Sequence, residues 1–252
     1  MTNIILCGCG GKMGQAIVRA AADSTDTRIV AGVDINADSI SAACTFPVYQ
    51  SISDFPGKAD IIVDFSHHTA LTSILSYAKT TLTPVVIATT GHTEEETALI
   101  KKCANIIPIF HAANMSLGVA LLIELAKITA KTFPDADIEI IEKHHNRKLD
   151  APSGTALLLA NAIKSVRRSL QFVYGRSGNA KRTEHESGIH AVRMGNIVGE
   201  HEVIVGTDTQ TITLKHEAHN RSLFAEGAVA AAEYLVKRPA GLYDMNRMIT
   251  GD

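Results

Sequence analysis

The chain has 252 residues, of which 46% are hydrophobic and 20% are charged. That length can bury a large core in one big domain or two modest ones. A formal net charge of −2 and the lack of tryptophan exclude the basic, base-stacking surface of a nucleic-acid-binding protein. No apolar run is long enough to cross a bilayer, and no charged leader precedes an apolar core. We therefore expect a cytoplasmic protein with no nucleic-acid or membrane partner, whose four cysteines are reduced.

The first half of the chain alternates apolar strand patterns with helical ones. Strands are predicted at Asn3–Cys7, Arg28–Val33, Ala59–Phe65, Pro84–Ala88 and Ile106–Phe110. Helices are predicted at Gln15–Ala22, Thr69–Lys79 and Glu94–Cys103. Repeated βα units imply right-handed crossovers, so the fold class is α/β, with a Rossmann-like, doubly wound parallel sheet.

The pattern changes after about residue 115, which predicts a second, smaller α+β domain. Helices are predicted at Leu117–Lys131, Ala156–Ile163 and Phe224–Leu235, and strands at Asp137–Ile141, Gly188–Arg193, His201–Thr207 and Thr211–Lys215. The polar segment Ser177–Glu186 is expected to be an exposed loop.

A glycine-rich turn, Gly8–Gly14, separates the first strand from the first helix. This is the context of a dinucleotide-binding fingerprint, in which glycines let the pyrophosphate approach backbone N–H groups. The spacing departs from G-x-G-x-x-G because Met13 occupies the third glycine position, but Gly8, Gly11 and Gly14 fit G-x-x-G-x-x-G. A purely structural tight turn is the alternative for this motif taken alone.

An acid at the end of the second strand strengthens the cofactor interpretation. Asp34 lies twenty residues after Gly14, where a carboxylate can accept hydrogen bonds from the adenosine ribose. Ile35 and Asn36 offer no cation for a 2′-phosphate, so NADH is expected to be preferred over NADPH. Lys12 or a remote arginine would relax that preference.

Three further strand ends point to the same crevice, because doubly wound sheets bind ligands at the carboxyl ends of their strands. They are Phe65–His67, Ala88–Gly91 and Ala112–Met115. Each alone would be an ordinary loop, but together they predict a nicotinamide slot. The predicted cofactor-binding residues are Gly8, Cys9, Gly10, Gly11, Lys12, Met13, Asp34, Phe65, Ala88, Thr89, Thr90, Ala112, Ala113, Asn114 and Met115.

The segment Glu142–Ala156 concentrates chemistry between a strand and a helix. Ser153 stands at the predicted N-cap, and Ala156 occupies the position where a capping box would carry an acid. The first helical turn is therefore a site for a ligand carboxylate or phosphate. His144, His145 and Lys148 lie just upstream and can supply protons and positive charge. The alternative is a solvated loop with an ordinary cap, but four features in one loop favour a site.

Metal binding is the competing interpretation of the eleven histidines. His144 and His145 are adjacent in an extended segment, so they point to opposite faces and chelate one ion poorly. No H-x-x-x-H pair on a helix and no H-E-x-x-H motif is present. We expect no metal site.

Taken together, these motifs resemble those of the 4-hydroxy-tetrahydrodipicolinate reductase (dihydrodipicolinate reductase) family. The matching segments are Gly8–Gly14, Ala88–Gly91, Ala112–Gly118, Glu142–Ala156, Gly195–His201 and Gly241–Met245. The run E-x-H-H-x-x-K-x-D-A-P-S-G-T-A is highly specific, and the resemblance covers essentially the whole chain.

The resemblance implies an activity and an organisation. The activity is NAD(P)H-dependent reduction of 4-hydroxy-tetrahydrodipicolinate to tetrahydrodipicolinate in diaminopimelate and lysine biosynthesis. A hydride is added at ring C4, a proton is added at the adjacent carbon, and water is lost. Residues 1–115 and 221–252 would form the dinucleotide-binding domain, and residues 116–220 the substrate-binding domain that assembles a homotetramer.

The resemblance also implies roles for the residues of the loop. His145, Ser153, Gly154 and Thr155 would hold the dicarboxylate substrate, while His144 and Lys148 would provide the proton chemistry. Two positions depart from the family pattern: many members have Pro where His68 stands, and some have Arg where Ile35 stands.

Two alternatives remain at this stage. A different hydride-transfer enzyme on the same fold, such as an amino-acid dehydrogenase, would not need the His-His…Lys…Ser-Gly-Thr loop. A non-enzymatic NAD(H)-sensing module would be expected to carry a DNA-binding or partner domain, and the sequence has no basic segment of that size.

Overall fold

The computed structural model describes residues 1–251, and the chain divides into two compact units. The first combines residues 1–116 with the segment from residue 222 onward, and the second is Leu117–Arg221. The junctions predicted from sequence lie one residue earlier at each crossing.

The elements follow in chain order. The first unit begins with β1 (Thr2–Cys7), α1 (Lys12–Asp23), β2 (Thr27–Val33), α2 (Ala37–Ile40), β3 (Val48–Tyr49), β4 (Ile61–Asp64), α3 (Leu71–Thr81), β5 (Val85–Ile87), α4 (Glu94–Cys103) and β6 (Pro108–His111). The second unit contains α5 (Leu117–Thr132), β7 (Asp137–His144), α6 (Gly154–Val166), β8 (Gln171–Tyr174), β9 (Glu186–Arg193), β10 (Gly199–Gly206) and β11 (Thr211–Ala218). The first unit is then completed by α7 (Ser222–Leu235), β12 (Gly241–Tyr243) and α8 (Met245–Thr250). Short 3₁₀ helices lie at Ser41–Ala43, Ile52–Asp54 and His68–Ala70.

The first unit is built on a seven-stranded sheet in the order β12-β6-β5-β4-β1-β2-β3, with every pair parallel. Its central strands are buried on both faces, as the continuous apolar runs require. Helices α3 and α4 pack on one face in a core that includes Leu75 and Ile100. Helix α7 packs on β4, β5 and β6 and against α1, and the Tyr234 ring meets the Phe110 ring edge-on. The predicted doubly wound parallel sheet is confirmed.

Two edge strands were not predicted. The strand predicted at Ile106–Phe110 is present as β6 (Pro108–His111), but β12 pairs outside it, with Gly241 opposite Pro108. On the other edge, β3 pairs with β2 through only two residues. Strands of two or three residues are too short to show a periodic pattern.

The glycine turn brings α1 unusually close to β1, and α1 begins at Lys12 rather than at the predicted Gln15. Gly8 has φ +78°, a conformation that favours glycine. A Cβ added to Gly14 would lie 2.2 Å from the Gly8 carbonyl oxygen. Only glycine therefore fits at these two positions.

The second unit is a mixed sheet in the order β11-β10-β7-β9-β8. Strand β10 runs antiparallel to β7 and β11, whereas β9 is parallel to β7 and β8. Helices α5 and α6 bury one face, where Ile140, Leu159 and Val203 belong to one core. The predicted second α+β domain is therefore present, although β8 was not predicted.

Strand β7 is longer than predicted, ending at His144 rather than Ile141. The ladder continues because Lys143 pairs with Glu200 and His144 pairs with Arg193. Alternate residues of β7 are buried, so Glu142 and His144 lie on the side covered by the helices. The expectation that Glu142 and His144 belong to a loop is corrected accordingly.

Helix α6 begins at Gly154, two residues before the predicted start. The Ser153 Oγ accepts a hydrogen bond from the Ala156 N–H at 3.2 Å, which confirms Ser153 as the N-cap. Among the helices described, none combines the length and the apolar character needed to span a membrane.

Candidate active site

A cleft of about 690 Å³ opens at the carboxyl ends of the strands in the first unit. Its walls come from the glycine turn, the end of β2 and the segment after β4. Of the predicted cofactor residues, five line this cleft: Gly8, Gly10, Gly11, Asp34 and Phe65. A cleft of this volume at the carboxyl ends of parallel strands suits a dinucleotide.

The N-terminus of α1 is left open for an anion. Gly11 is its N-cap and offers no side chain, and the first turn contains no acid. The uncapped N–H groups and the positive end of the helix dipole favour a phosphate at this position. The structure therefore fits the pyrophosphate of a dinucleotide here.

Asp34 is fixed at the mouth of the cleft by two backbone donors. Its Oδ2 accepts from the Gly10 N–H at 2.9 Å, and its Oδ1 accepts from the Asn36 N–H at 3.0 Å. Each oxygen keeps a lone pair for a further donor, so the carboxylate can still accept from ribose hydroxyls. Ile35 beside it is 85% exposed, and no Lys or Arg lines the described cleft.

The remaining predicted cofactor residues divide by burial. Cys9, Ala88, Thr89 and Met115 are buried, whereas Lys12, Thr90 and Ala113 are exposed and Met13, Ala112 and Asn114 are intermediate. Cys9 Sγ packs against Gly32 beneath the turn. The four buried side chains are therefore packed in the interior beneath the site, while the other six have exposed or partly exposed surface.

A buried carboxylate that was not predicted links two of the strand ends. Asp64 accepts from the Ser66 N–H and Oγ and from the Thr89 Oγ at 2.9 Å. Burial raises the pKa of Asp64, and these hydrogen bonds oppose the rise. The sequence signal was an acid, Asp64, at the end of the apolar run Ile61–Phe65.

His68, which departs from the family pattern, has a local partner. Its Nδ1 lies 3.0 Å from Glu96 Oε1, and Glu96 also closes the capping box at the start of α4 with Thr93. The histidine thus adds a contact between the segment after β4 and α4.

The second unit holds a hydrogen-bonded network centred on Glu142, which is fully buried. Its Oε2 lies 2.6 Å from His144 Nδ1, and its Oε1 accepts from the Ser153 N–H at 2.9 Å. The Arg193 guanidinium donates to both oxygens, at 2.6 and 2.8 Å. One carboxylate therefore joins β7, β9 and the start of α6.

Charge and burial oppose each other in this network. Burial acts to raise the pKa of Glu142, but hydrogen bonds from Arg193, His144 and Ser153 outweigh it and the pKa is lowered. Burial lowers the pKa of His144 despite the attraction of Glu142, and the charges of Lys148 and Arg193 lower it further. The carboxylate is thus ionised and the imidazole neutral at pH 7.

A second histidine completes the buried group. His201 Nε2 lies 3.0 Å from Ser153 Oγ, and the rings of His144 and His201 meet edge-on with centroids 5.2 Å apart. Burial, followed by the nearby His144, lowers the pKa of His201 to about 4.

The other predicted site residues lie in the turn after β7 and at the start of α6. The Lys148 Nζ lies 2.7 Å from Asp150 Oδ1, and the His145 N–H donates to the Ile197 carbonyl at 2.8 Å. The Nδ1 of His145 is buried with no hydrogen-bond partner among residues 1–251. Gly154 is exposed and Thr155 half-buried in the first turn of α6.

The sequence did not assign roles to Glu142, Arg193 or His201. The signal for Glu142 was available, since an alternating strand that buries Ile138 and Ile140 also buries residue 142. No such signal marks Arg193 in the sequence, because the residue it pairs with is determined by the β7–β9 register. Residues 1–251 contain no group of three or more His, Cys, Asp or Glu side chains arranged to hold a metal ion.

The parallel sheet, the uncapped α1 turn and the acid after β2 define a nicotinamide-dinucleotide-dependent oxidoreductase. Two family models match the chain, described as the N-terminus of dihydrodipicolinate reductase over residues 2–115 and its C-terminus over residues 118–249. The chain belongs to the dihydrodipicolinate reductase family.

Relatives agree over the full length. A Clostridium tetani protein named 4-hydroxy-tetrahydrodipicolinate reductase is 46% identical, covering 99% of this chain and 97% of the relative. A Caldanaerobacter subterraneus protein of the same name is 44% identical, covering 99% and 98%.

Solved structures extend the comparison. A dipicolinate-bound dihydrodipicolinate reductase from Paenisporosarcina sp. TG-14 superposes with a TM-score of 0.83 at 28% identity, covering 97% of both chains. A myo-inositol dehydrogenase from Corynebacterium glutamicum, at 12% identity and a TM-score of 0.60 over 96% of this chain and 90% of its own, shares the fold alone.

Proposed function

We propose that this protein reduces 4-hydroxy-tetrahydrodipicolinate to tetrahydrodipicolinate, with loss of water, in diaminopimelate and lysine biosynthesis. The observation that carries the proposal is the buried Glu142–His144–Ser153 arrangement beside Lys148, in a chain that is 46% identical to a relative with that name. An amino-acid dehydrogenase on the same fold would have no use for this arrangement.

The first unit binds the reduced cofactor. The open N-terminus of α1 accepts the pyrophosphate, and Asp34 accepts hydrogen bonds from the ribose. When bound, the reduced nicotinamide supplies the hydride for ring C4. NADH is preferred over NADPH, since Ile35 and Asn36 next to Asp34 give a 2′-phosphate no cation.

The second unit binds the dicarboxylate. The first turn of α6 has no acid, so its N–H groups, with Gly154 and the Thr155 hydroxyl, suit a substrate carboxylate. His145 adds a ring nitrogen that has no protein partner in the described chain. Dipicolinate, bound in the Paenisporosarcina relative, is a dicarboxylate of the same kind.

The carbon next to C4 must gain a proton as the hydride arrives, so a positioned acid is needed. Lys148 is the donor, and its ion pair with Asp150 at 2.7 Å orients the ammonium. His144 lies beside Lys148 and either orients the reacting groups or relays the proton.

We also propose that the protein acts in the cytoplasm as a homotetramer. Strands β7 and β10 bury only alternate residues, and the other face of the sheet carries Ile141, Val192 and Ile204. These apolar side chains stand among charged ones such as Lys143 and Glu200, which pair at 3.0 Å, and a second copy of the same face can cover this mixed surface symmetrically.

The activity is tested by supplying the substrate fresh from dihydrodipicolinate synthase and following the loss of reduced-nicotinamide absorbance. Loss of absorbance that requires both this protein and the synthase product is expected. A reaction that proceeds instead with NAD⁺ and a free amino acid would identify an amino-acid dehydrogenase. No turnover in either direction, with retained NADH binding, would favour a sensing module.

A further inference from the structure

We infer that Glu142 is a positioning residue that holds His144 as the neutral Nδ1–H tautomer, so that His144 presents an acceptor nitrogen and Lys148 alone is the proton donor. This inference rests on the proposed function and divides the work between the two residues of its proton chemistry.

The charge of Glu142 is already balanced without His144. Arg193 donates hydrogen bonds to both carboxylate oxygens of Glu142, at 2.6 and 2.8 Å. Glu142 itself has no solvent-exposed surface. A bidentate Arg–carboxylate pair of this kind has no net charge and is held by two strong, charge-assisted hydrogen bonds. A proton added to His144 would therefore leave one uncompensated positive charge in a buried group, which is costly.

Of the four groups facing the His144 ring, two are cations that disfavour a positive charge on it, one is neutral and one, Glu142, favours it. They are Glu142 on its own strand, Arg193 on β9, His201 on β10 and Lys148 in the following turn. His201 is itself neutral because of burial, and two of the remaining groups are cations.

The contact with Glu142 fixes which nitrogen carries the hydrogen. An ionised carboxylate can only accept, so the 2.6 Å contact between Oε2 and Nδ1 requires Nδ1–H as the donor. In a neutral ring the other nitrogen, Nε2, then has a free lone pair. The hydrogen bond made by one ring nitrogen thus fixes the state of the other. The tautomer of a metal-binding histidine is fixed in the same way.

That free nitrogen faces a space kept open by a glycine. A Cβ added to Gly199 on β10 would lie 3.1 Å from His144 Nε2, and Nε2 has no hydrogen-bond partner among residues 1–251. Nε2 is therefore available to accept a hydrogen bond from the substrate or from water. The new C–H bond then takes its proton from the Lys148 ammonium, which becomes a neutral amine and regains a proton from solvent.

The same carboxylate also holds the anion site. The Glu142 Oε1 accepts from the Ser153 N–H at 2.9 Å, and Ser153 caps α6 through the Ala156 N–H. A change at Glu142 is therefore expected to affect both the orientation of His144 and the first turn of α6.

The direct test is nuclear magnetic resonance on the full protein with ¹⁵N-labelled histidine, in which His144 is assigned as the ring signal lost in His144→Gln. At pH 7 the ring should show a protonated Nδ1 and a bare Nε2. A ring protonated at Nε2, or at both nitrogens, would overturn the inference. This measurement of the His144 ring in the wild-type protein does not depend on the stability of any variant. It also does not depend on whether the protein turns over the proposed substrate.

Two variants give a paired test with opposite signs. Arg193→Gln leaves the Glu142 charge unbalanced, so the titration midpoint of His144 should move upward. Glu142→Gln removes the attraction and leaves Arg193, so the midpoint should move downward. Both midpoints moving in the same direction, or neither moving, would contradict the proposed balance. If either variant is unfolded by circular dichroism, the wild-type tautomer decides.

Activity provides the last readout. Glu142→Gln should lower kcat by roughly tenfold or more, the size of one lost hydrogen bond to the reacting group, without changing the Kd for NADH. The matched control is Glu139→Gln: Glu139 lies on the same strand and also binds a histidine and an arginine, His190 and Arg182, but faces the other side of the sheet. It should leave the His144 titration and kcat unchanged. Wild-type turnover with an Nε2–H tautomer would refute the inference alone, whereas no wild-type turnover would refute the function.

Discussion

The carboxylate of Asp34 accepts a hydrogen bond from the backbone N–H of Gly10 at 2.9 Å. This contact ties the end of β2 to the glycine turn, so the proposed ribose-binding carboxylate and the proposed pyrophosphate-binding turn are positioned together. A Cβ added to Gly10 would meet Asp34 Oδ2 at 2.9 Å, which explains why the turn carries no side chain there.

Cofactor preference follows from this corner of the cleft. The ratio of kcat/KM for NADH to that for NADPH should be at least one, and a preference of tenfold or more for NADPH, about 1.4 kcal/mol, would contradict it. Ile35→Arg places a cation beside the 2′-position and should shift the ratio toward NADPH. Ile106→Arg, at another exposed isoleucine, is the control and should not.

Proton donation and substrate binding should separate by mutation. Lys148→Ala removes the proposed donor and should lower kcat by roughly 10²–10⁴-fold. Thr155→Val removes one hydroxyl donor to the substrate carboxylate and should mainly raise KM. The expected rise corresponds to the loss of about 1.5–3 kcal/mol of binding free energy. Fluorescence titration should show unchanged NADH binding for both variants. A near-normal kcat in Lys148→Ala would mean that the segment only binds substrate.

Gly199→Ala should obstruct His144 without removing it. The added methyl lies 3.1 Å from Nε2, tight enough to block a hydrogen bond while the strand remains intact, since Gly199 does not have a positive φ. We expect kcat to fall at least tenfold with unchanged thermal stability and NADH affinity. Gly206→Ala, on the same strand with no heavy atom closer than 4.0 Å, should behave as wild type.

The stability of the protein should depend on pH through His201. The pKa of His201 is about 4 in the fold, against 6.5 for the free side chain. Above pH 6.5 the His201 ring is neutral in both the folded and the unfolded protein, so its full contribution to the free energy of unfolding is present. As pH falls from 6.5 to 4 the unfolded state binds a proton that the folded state does not, so stability is lost by up to roughly 3 kcal/mol.

His201→Gln removes this titration and keeps a polar partner for Ser153. Urea unfolding at fixed protein concentration, from pH 7 to pH 4, should show a smaller loss of the free energy of unfolding in this variant than in wild type. Equal losses in the two proteins would rule out His201 as the source.

The assembly proposal predicts a mass of about four times 26.9 kDa by light scattering at micromolar concentration. Ile204→Lys, on the face of the sheet opposite α5 and α6, should reduce that mass, while Thr209→Lys in the exposed turn after β10 should not. A monomer in the wild type would refute the tetramer.

The sequence predicted the first unit well because its strands are long apolar runs separated by amphipathic helices. Helix α4 was placed correctly at both ends, since Thr93 and Glu96 form a capping box that marks its start. Strand β7 was cut short at Ile141 because Glu142, Lys143 and His144 are polar. They extend the strand only because β9 and β10 pair with them, and such non-local pairing leaves no local signal.

The candidate site was predicted only in part, because some of its residues are neighbours in the sequence and others are brought together by strand pairing. His144, Lys148 and Ser153 lie in one continuous segment, so the sequence grouped them directly. Arg193 joins them through a register that places it opposite His144, some fifty positions later in the chain. A partner of this kind becomes visible only when the sheet is known.

The chain order of the first unit has a consequence for synthesis. Helix α7 packs on α1 and on three strands of the parallel sheet, and β12 pairs with β6, yet both follow the whole second unit in the sequence. A nascent chain that has reached Arg221 on the ribosome has the complete second unit but an unfinished first one, with the apolar side of α1 uncovered. The dinucleotide-binding unit therefore closes last, after the translation of nearly the whole message, and until then the growing polypeptide exposes a surface that chaperones recognise.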